Sequence, residues 1–416
     1  MLVGQGGLSL RTLGGDRAGE LRVGRFLSNP RVSVPEMVSR ARSRLLARAG
    51  GRHVLAIQDT TSLRDDGRRT GVYLHPTIAV DEADGALLGL LSADVLVHDG
   101  KPKVRCQDRP LAEKESRRWI DATVQAADLI EAGANRVTMV ADREADLYEM
   151  FACRPEAVDV LVRVHHNRCL RDGSMLYDAG ETLAGSLSVE VPAQPGRRPR
   201  VASVSVRAGR VGIKCPQRNR AAEDRSLPDS VELTLLDLRE EQAPAGQTPL
   251  HWRLLTTHPA TSLKDAGWIA GLYRRRWAVE QVFRVMKTQG FDVEAVRFEG
   301  NRPLSKLACA ILIAAIHIQQ MLHDRDGSAS RPIVDVFDEA DRPVIEAIGQ
   351  TLEGKTDRQK NPHAPGLLAH AAWICGRLGG WTGYYSKSGP IVLIRGYARL
   401  MAMIDGTKRS ALVRIR

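Results

Sequence analysis

Cysteine is scarce in this sequence, and its spacing shows no pairing. Six cysteines occur in 416 residues, at positions 106, 153, 169, 215, 309 and 375. Zinc sites and disulfide frameworks use cysteines at short recurring spacings such as C-x-x-C. No such pair is present in the sequence, which argues against zinc binding and against a disulfide scaffold. We therefore expect a protein of the reducing cytoplasm.

Long apolar runs are also missing. The most apolar stretch, "LACAILIAAIHIQQML" at 307–322, is shorter than the roughly 20 residues that span a bilayer, and it is interrupted by His317, Gln319 and Gln320. We interpret it as a buried helix. The first residues, "MLVGQGGLSLRTLGG", have no basic segment followed by an apolar one, so we expect neither a secretion signal nor a membrane partner.

Acidic residues are too few to balance the basic ones. The chain has 49 Asp and Glu against 60 Lys and Arg, a formal charge of +11 and a pI near 9.6. With 43% hydrophobic residues, it can bury a large core and form more than one domain. A basic, globular chain of this kind favours a nucleic-acid partner.

The pattern of apolar runs predicts an α/β plan. Helical periodicity covers 34–50, and a second helix is expected from about Glu113 to Ala132. The β-like runs are "HVLAIQDTTSL", "GVYLHPTIAV", "ALLGLLSADVLVHD", "NRVTMVADREADLYEMF" and "AVDVLVRVHH", of which the fourth passes directly into a helix. The resulting order β-β-β-α-β-α-β indicates a mixed sheet with helices.

Helical signals vanish from about 167 to 256, where proline, arginine and glycine separate β-like runs. We interpret this range as a β-rich insertion in a larger domain covering 51–330. Residues 1–50 precede that domain, and a mainly helical region follows at 331–416.

Two aspartates lie where apolar β-runs stop. Asp59 and Asp142 each end a run, and the carboxyl ends of neighbouring strands can meet at one edge of a sheet. Each has an ordinary alternative role. Asp142 could cap the following helix, and Asp59 could open a turn with Thr60 and Thr61.

The stretch "YRRRWAVEQVFRVMK", 273–287, adds a third carboxylate among positive charges. As one continuous helix, it would place Tyr273, Arg276, Glu280 and Lys287 on a single outward stripe. Its apolar face would contain Leu272, Val279, Val282, Phe283 and Met286. The simpler interpretation is an exposed helix with an Arg276–Glu280 ion pair. However, the positive charge exceeds what one glutamate can pair, and Trp277 lies on the polar side, which favours an anionic partner.

Asp59, Asp142 and Glu280 together would suit Mg²⁺ or Mn²⁺. Carboxylate oxygens are the hard ligands that these ions prefer, and the ions keep open positions for water and phosphate. Two such ions can activate an attacking hydroxyl and stabilise the leaving oxygen in phosphodiester chemistry.

These motifs resemble the DDE transposases of bacterial cut-and-paste insertion sequences, specifically the insertion-sequence-four family that includes the Tn-five transposase. The signature Y-x-x-R-x-x-x-E-x-x-x-x-x-x-K matches Tyr273, Arg276, Glu280 and Lys287 at every spacing. "QDTTSL" and "ADREADLYEMF" resemble the family's two aspartate motifs, and the likeness extends to "LGGWTGYYSKSGPIVLIRGYARL" near the carboxyl end.

The resemblance implies a ribonuclease-H-like catalytic domain with a β-rich insertion between the second aspartate and the glutamate. It implies that Asp59, Asp142 and Glu280 bind two metal ions, and that Tyr273, Arg276 and Lys287 hold phosphates. A base flipped out near the cut would stack on tryptophan, for which Trp252 and Trp277 match; Trp252 could equally be a packing residue.

Two further arginines, Arg163 and Arg168, follow the strand after Asp142. Each could contact phosphates or be a simple surface residue.

The implied partners are double-stranded DNA, both transposon terminal inverted repeats and target DNA, and a second copy of the chain through 331–416. The protein would act at the bacterial nucleoid. The segment before Asp59 is shorter than the family's end-binding domain, so we interpret 1–50 as a remnant of it. This leaves two alternatives to a transposase: a truncated, non-catalytic DNA-binding inhibitor, or a plain metal-dependent nuclease.

Overall fold

The computed structural model describes residues 16–65, 70–99, 116–191, 199–216, 227–295, 301–384 and 387–414. They fall into two compact units. The first contains Met1–Leu45, Thr60–Gly100 and Ala278–Arg416, and the second contains Leu46–Asp59 and Lys101–Trp277. Several segments discussed above lie outside the described residues. They are residues 1–15, most of "PAQPGRRPR", the end of "CPQRNR", the start of the helix predicted from 113, and 385–386 in the carboxyl-terminal motif.

The helices and strands are numbered along the chain. The strands are β1 His53–Gln58, β2 Thr61–Asp65, β3 Thr70–Asp81, β4 Leu87–Asp99, β5 Arg136–Ala141, β6 Val158–Arg163, β7 Leu183–Val191, β8 Arg200–Lys214, β9 Ser230–Glu240 and β10 His251–Thr256. The helices are α1 Arg17–Ser28, α2 Val34–Leu46, α3 Arg117–Gln125, α4 Ala127–Glu131, α5 Tyr148–Ala152, α6 Leu263–Arg274, α7 Trp277–Lys287, α8 Asn301–Asp324, α9 Arg342–Leu352, α10 Leu368–Leu378 and α11 Pro390–Arg414.

The sheet of the second unit contains three adjacent parallel strands. β1 pairs with β5 and β5 pairs with β6, all parallel, with Gln58 opposite Ala141. These strands are almost entirely buried. Continuous apolar, β-branched sequences are typical of parallel strands that are covered on both faces.

The β-rich region continues this same sheet. β10 pairs antiparallel with β6 on one side and with β9 on the other, and β8 and β7 follow outward. The region predicted to be β-rich therefore contains β7 to β10, and its last strand lies directly beside the central strands. α6 packs across the outer strands at Gly185, where a Cβ would lie 2.7 Å from the Leu263 side chain.

The first unit combines helices with an antiparallel meander. β2 pairs with β3 and β3 with β4. α8 is long and apolar enough by length and composition to cross a membrane, but 67% of its most apolar window is buried inside the protein. This burial agrees with the predicted core helix. α9, α10 and α11 form the helical carboxyl-terminal region.

Three details of the sequence prediction are wrong. Four strands, not three, precede the first helix of the α/β pattern, because the run "HVLAIQDTTSL" divides into β1 and β2. The predicted helix to Ala132 divides at Ala126, between α3 and α4. Asp142 is followed by a 3₁₀ turn, Arg143–Ala145, before α5 begins.

The stretch 273–287 is not one helix. α6 ends at Arg274 and α7 begins at Trp277, and between them the Arg276 N–H bonds to the Tyr273 carbonyl, three residues back, at 3.0 Å. Such bonds tighten the last turn of a helix. Tyr273, predicted to face outward, is buried, and its ring packs against that of Trp252. The predicted apolar face was correct, because Leu272, Val279, Val282, Phe283 and Met286 are all buried.

A buried polar network joins the amino-terminal ends of β1 and β5. Arg136 Nη2 lies 3.0 Å from His258 Nδ1, and His258 Nε2 lies 2.9 Å from Thr138 Oγ1, which lies 2.8 Å from His53 Nε2. Since arginine can only donate, His258 accepts at Nδ1 and is the neutral Nε2–H tautomer. Burial, aided by the nearby Arg136 charge, lowers the pKa of His258 to about 4. Arg136 is in turn held by Asp159 at 2.8 Å.

Candidate active site and nucleic-acid interface

Asp59 and Asp142 lie at the same edge of the parallel strands. Each follows directly on the last residue of its strand, and those residues, Gln58 and Ala141, are paired neighbours. The Asp59 and Asp142 side chains are 21% and 30% exposed, so both carboxylates reach solvent. Asp142 also caps the 3₁₀ turn after it, accepting the Arg143 N–H at 2.8 Å. Its capping role and its place at the sheet edge are therefore compatible.

One guanidinium bridges the two carboxylates. Arg276 Nη1 donates to Asp59 Oδ2 at 2.9 Å, and Arg276 Nη2 lies 3.9 Å from Asp142 Oδ2. The Arg276 side chain is only 12% exposed. The tightened turn between α6 and α7 places this side chain, and a capping box formed by Ser262 and Asp265 fixes the start of α6.

Tyr273 and Arg163 complete the surroundings of Asp142. The Tyr273 hydroxyl donates to Asp142 Oδ1 at 3.3 Å, and Arg163 Nη1 lies 3.9 Å from the same oxygen. Burial, together with the Asp142 charge, raises the pKa of Tyr273 far above its ordinary value. Tyr273 therefore remains a neutral hydrogen-bond donor at any physiological pH.

A cavity of about 320 Å³ opens beside this cluster. Its lining includes both tryptophans singled out in the sequence, Trp252 and Trp277, together with Arg163, Tyr273 and Arg276. The Trp252 ring meets the Tyr273 ring edge to face, with centroids 5.2 Å apart, and Arg163 Nη2 donates to the His251 carbonyl at 3.1 Å. The cavity thus combines aromatic faces with positive charge, as sites for unstacked nucleotides do.

Arg168 was interpreted from the sequence as a phosphate contact or a simple surface residue, and the structure gives it a different environment. Its guanidinium binds the buried carboxylate of Asp146, at 3.1 Å from Nε and 2.8 Å from Nη2. Asp146 Oδ2 also accepts the backbone N–H groups of His165 and His166 at 2.7 and 2.9 Å. The Arg168 charge is therefore committed to a buried ion pair that ties the turn after Asp142 to the exit of β6.

Glu280 and Lys287 lie on α7, in the first unit. Glu280 is half-buried, one turn beyond Trp277. Lys287 pairs with Glu294 through a 2.7 Å contact.

Asp59 and Asp142 fit a hard divalent cation. Their oxygens already converge on a single positive group, and two carboxylates completed by water and phosphate oxygens are a common Mg²⁺ environment. Within the described part of the chain, no group of three or more His, Cys, Asp or Glu side chains is placed to hold a metal ion. Metal binding by Asp59 and Asp142, with Glu280 as a third ligand, therefore stays a prediction.

Sequence reasoning missed Asp146 and His251. Asp146 lies four residues after Asp142 in "DREAD", and this spacing is not specific to any structure. Its hydrogen-bond partners follow β6 and are distant in the sequence, so no local pattern indicates them. His251 adjoins Trp252 on β10, and its Nε2 lies 2.8 Å from Asp237 Oδ1.

Together, the mixed sheet with flanking helices and the paired aspartates at its edge are consistent with the ribonuclease-H-like plan. Residues 120–316 match the family model of the transposase DDE domain. The match supports a DDE transposase, with DNA as its partner and DNA recombination as its process. Enzymes of this kind use divalent metal ions. The matched range contains Asp142 and Glu280 and begins after Asp59.

Proposed function

We propose that the chain is a cut-and-paste transposase of the insertion-sequence-four type, which nicks the transposon end, forms and resolves a hairpin, and joins the freed 3′-hydroxyl to target DNA. The observation that carries this proposal is the bridge from Arg276 to the two aspartates at the ends of β1 and β5. It joins the first aspartate motif, the second aspartate motif and the helical signature in one place.

Each residue has a distinct role in this scheme. Asp59 and Asp142, with Glu280 as a third ligand, would hold Mg²⁺ or Mn²⁺, in a pair of ions. When bound, such ions activate the attacking oxygen as Lewis acids. Arg276, Tyr273 and Lys287 would bind backbone phosphates and so position the scissile bond.

The cavity beside the aspartates would receive a base flipped out near the cut. Trp252 offers an aromatic face there, and Arg163 and Arg276 supply positive charge within reach of the adjoining phosphates. Base stacking on an aromatic face contributes about 1–3 kcal/mol, which offsets much of the cost of unstacking.

Partners and location follow from the same proposal. The substrates would be duplex DNA carrying the terminal inverted repeats, and then target DNA. A homodimer would hold both ends, with contacts from the helical region 331–416. The site of action would be the nucleoid in the bacterial cytoplasm.

Cleavage of duplexes that carry the repeats flanking the gene tests the proposal. Asp59→Asn, Asp142→Asn and Glu280→Gln should each abolish Mg²⁺-dependent cleavage and leave most DNA affinity intact, because phosphate contacts dominate affinity. Asp121→Asn is the matched control, since Asp121 lies on α3 in an exposed pair with Arg117.

The products separate the proposal from its alternatives. Nicks that never proceed to hairpins or strand transfer would indicate a plain nuclease. DNA binding with no cleavage by the unchanged chain would indicate a non-catalytic inhibitor.

A further inference from the structure

A second cavity, of about 550 Å³, adjoins the one beside the aspartates. Arg274 and Trp277 line both cavities, so these two side chains form the boundary between them. The walls of the second cavity are otherwise mainly apolar, formed by Val191, Pro199 and Val201 at the facing ends of β7 and β8. Val201 is 67% exposed, an unusual degree for valine on a strand.

One carboxylate links the linings of the two cavities. Arg200, in the second cavity, forms a nearly buried two-pronged ion pair with Glu240. Glu240 also accepts the backbone N–H of Leu250, which lines the first cavity, at 2.8 Å.

Arg274 carries a replaceable partner at this boundary. Its guanidinium contacts the carboxylate of Glu190, whose side chain is largely exposed. An exposed ion pair of this kind is weak, and a phosphate can take the place of the carboxylate because it offers the same paired oxygens to the guanidinium.

We propose that the two cavities together bind two consecutive nucleotides of a single DNA strand, with the phosphate between them on Arg274 and the second base in the cavity of Val191, Val201 and Trp277. Because the two cavities share Arg274 and Trp277, a strand that enters the first can continue into the second, and an apolar wall beside a tryptophan suits the face of a base. Glu190 holds Arg274 until that phosphate arrives. This inference rests on the proposed function, because it extends the path of the strand that is cut.

The test is binding of a fluorescein-labelled oligodeoxythymidylate to the full chain, measured by anisotropy. Val201→Glu should weaken single-strand binding about tenfold, since it places a charge where the base would lie. Val97→Glu is the matched control, because Val97 is an exposed valine on β4 of the first unit. This change should leave affinity within about twofold. Arg274→Gln should weaken binding. It should also make the dependence of log affinity on log salt concentration shallower, by the amount that corresponds to one lost phosphate contact. Glu190→Gln should tighten binding about two- to fivefold.

An oligonucleotide with the same backbone but with abasic positions supplies the decisive comparison. The unchanged chain should lose about tenfold in affinity when the bases are removed, and Val201→Glu should lose clearly less. Equal behaviour of Val201→Glu and Val97→Glu, or equal affinity for the abasic strand, would overturn the inference.

Metal-dependent cleavage of end duplexes by the unchanged chain is read separately. The proposed function is refuted if that activity is absent. The inference about the second cavity is refuted if cleavage is normal and the differences in single-strand binding do not appear.

Discussion

Replacing Arg276 with methionine should destabilise the metal-free protein and strengthen its binding of a divalent cation. The change removes the one guanidinium that bridges Asp59 and Asp142 and keeps an unbranched apolar stem. This guanidinium lies 2.9 Å from Asp59 and 3.9 Å from Asp142, and Arg163 approaches Asp142 at the same 3.9 Å. A cation and Arg276 therefore compete for the same oxygens.

The structure sets the size of the effect. The 2.9 Å contact with Asp59 is a charge-assisted hydrogen bond, which contributes about 1.5–3 kcal/mol. The 3.9 Å contact with Asp142 adds less than about 1 kcal/mol, because that carboxylate is partly exposed and screened. We therefore expect the free energy of unfolding to fall by about 2 kcal/mol without metal, and cation affinity to rise by up to about thirtyfold.

Urea unfolding with and without Mg²⁺ measures both quantities, because a ligand that binds only the folded state stabilises it by mass action. The loss in stability should be largest in the metal-free protein and should shrink as Mg²⁺ is added. Arg207→Met is the matched control, since the Arg207 side chain is 72% exposed and pairs with Glu181 at 3.2 Å. An equal response of Arg276→Met and the unchanged chain to Mg²⁺ would refute the competition argument.

Three other changes give separate tests. Trp252→Ala should still nick transposon ends but accumulate nicked product on gels, since only attack on the second strand needs a flipped base; hairpins at the normal rate would return Trp252 to a packing role. Arg168→Met should lower the free energy of unfolding by about 3–5 kcal/mol, because it leaves the buried Asp146 charge without its partner, and a loss under about 1 kcal/mol would contradict this. The pKa of His258 is lower in the folded than in the unfolded chain, so its contribution is complete above about pH 6.5 and is lost as pH falls toward 4. His258→Asn should flatten the pH dependence of stability in that window, and an unchanged slope would show that His258 is not its source.

The meeting of Asp59 and Asp142 at one edge of the sheet was predictable because its signals are local. A run such as "RVTMVA" is apolar enough to be covered on both faces, and an aspartate after it ends the buried part of the strand. Two such strands in a parallel arrangement bring Asp59 and Asp142 together whatever the rest of the chain does. The 3.6-residue spacing of the apolar residues likewise predicted which face of α7 is buried.

The direction of Tyr273 was not predictable from the same period. Helical spacing shows which residues share a face but not what covers that face, and Tyr273 is covered by Trp252 and bonded to Asp142. The position of β10 beside β6 was equally hidden, because about 90 residues separate the paired strands and no local pattern encodes such a contact. For that reason the sequence indicated an insertion without showing that it joins the central sheet.

The double pairing of β10 limits how this protein can diverge. A change in the length of β7, β8 or β9 leaves the pairing of β10 with β6 intact. β10 has no such freedom, since β6 and β9 both fix its register. A slip of one residue would turn Trp252 to the opposite face and bring His251 or Arg253 into its place. Length variation in homologous genes should therefore be concentrated before β10, and the spacing from Trp252 to Arg276 should be kept.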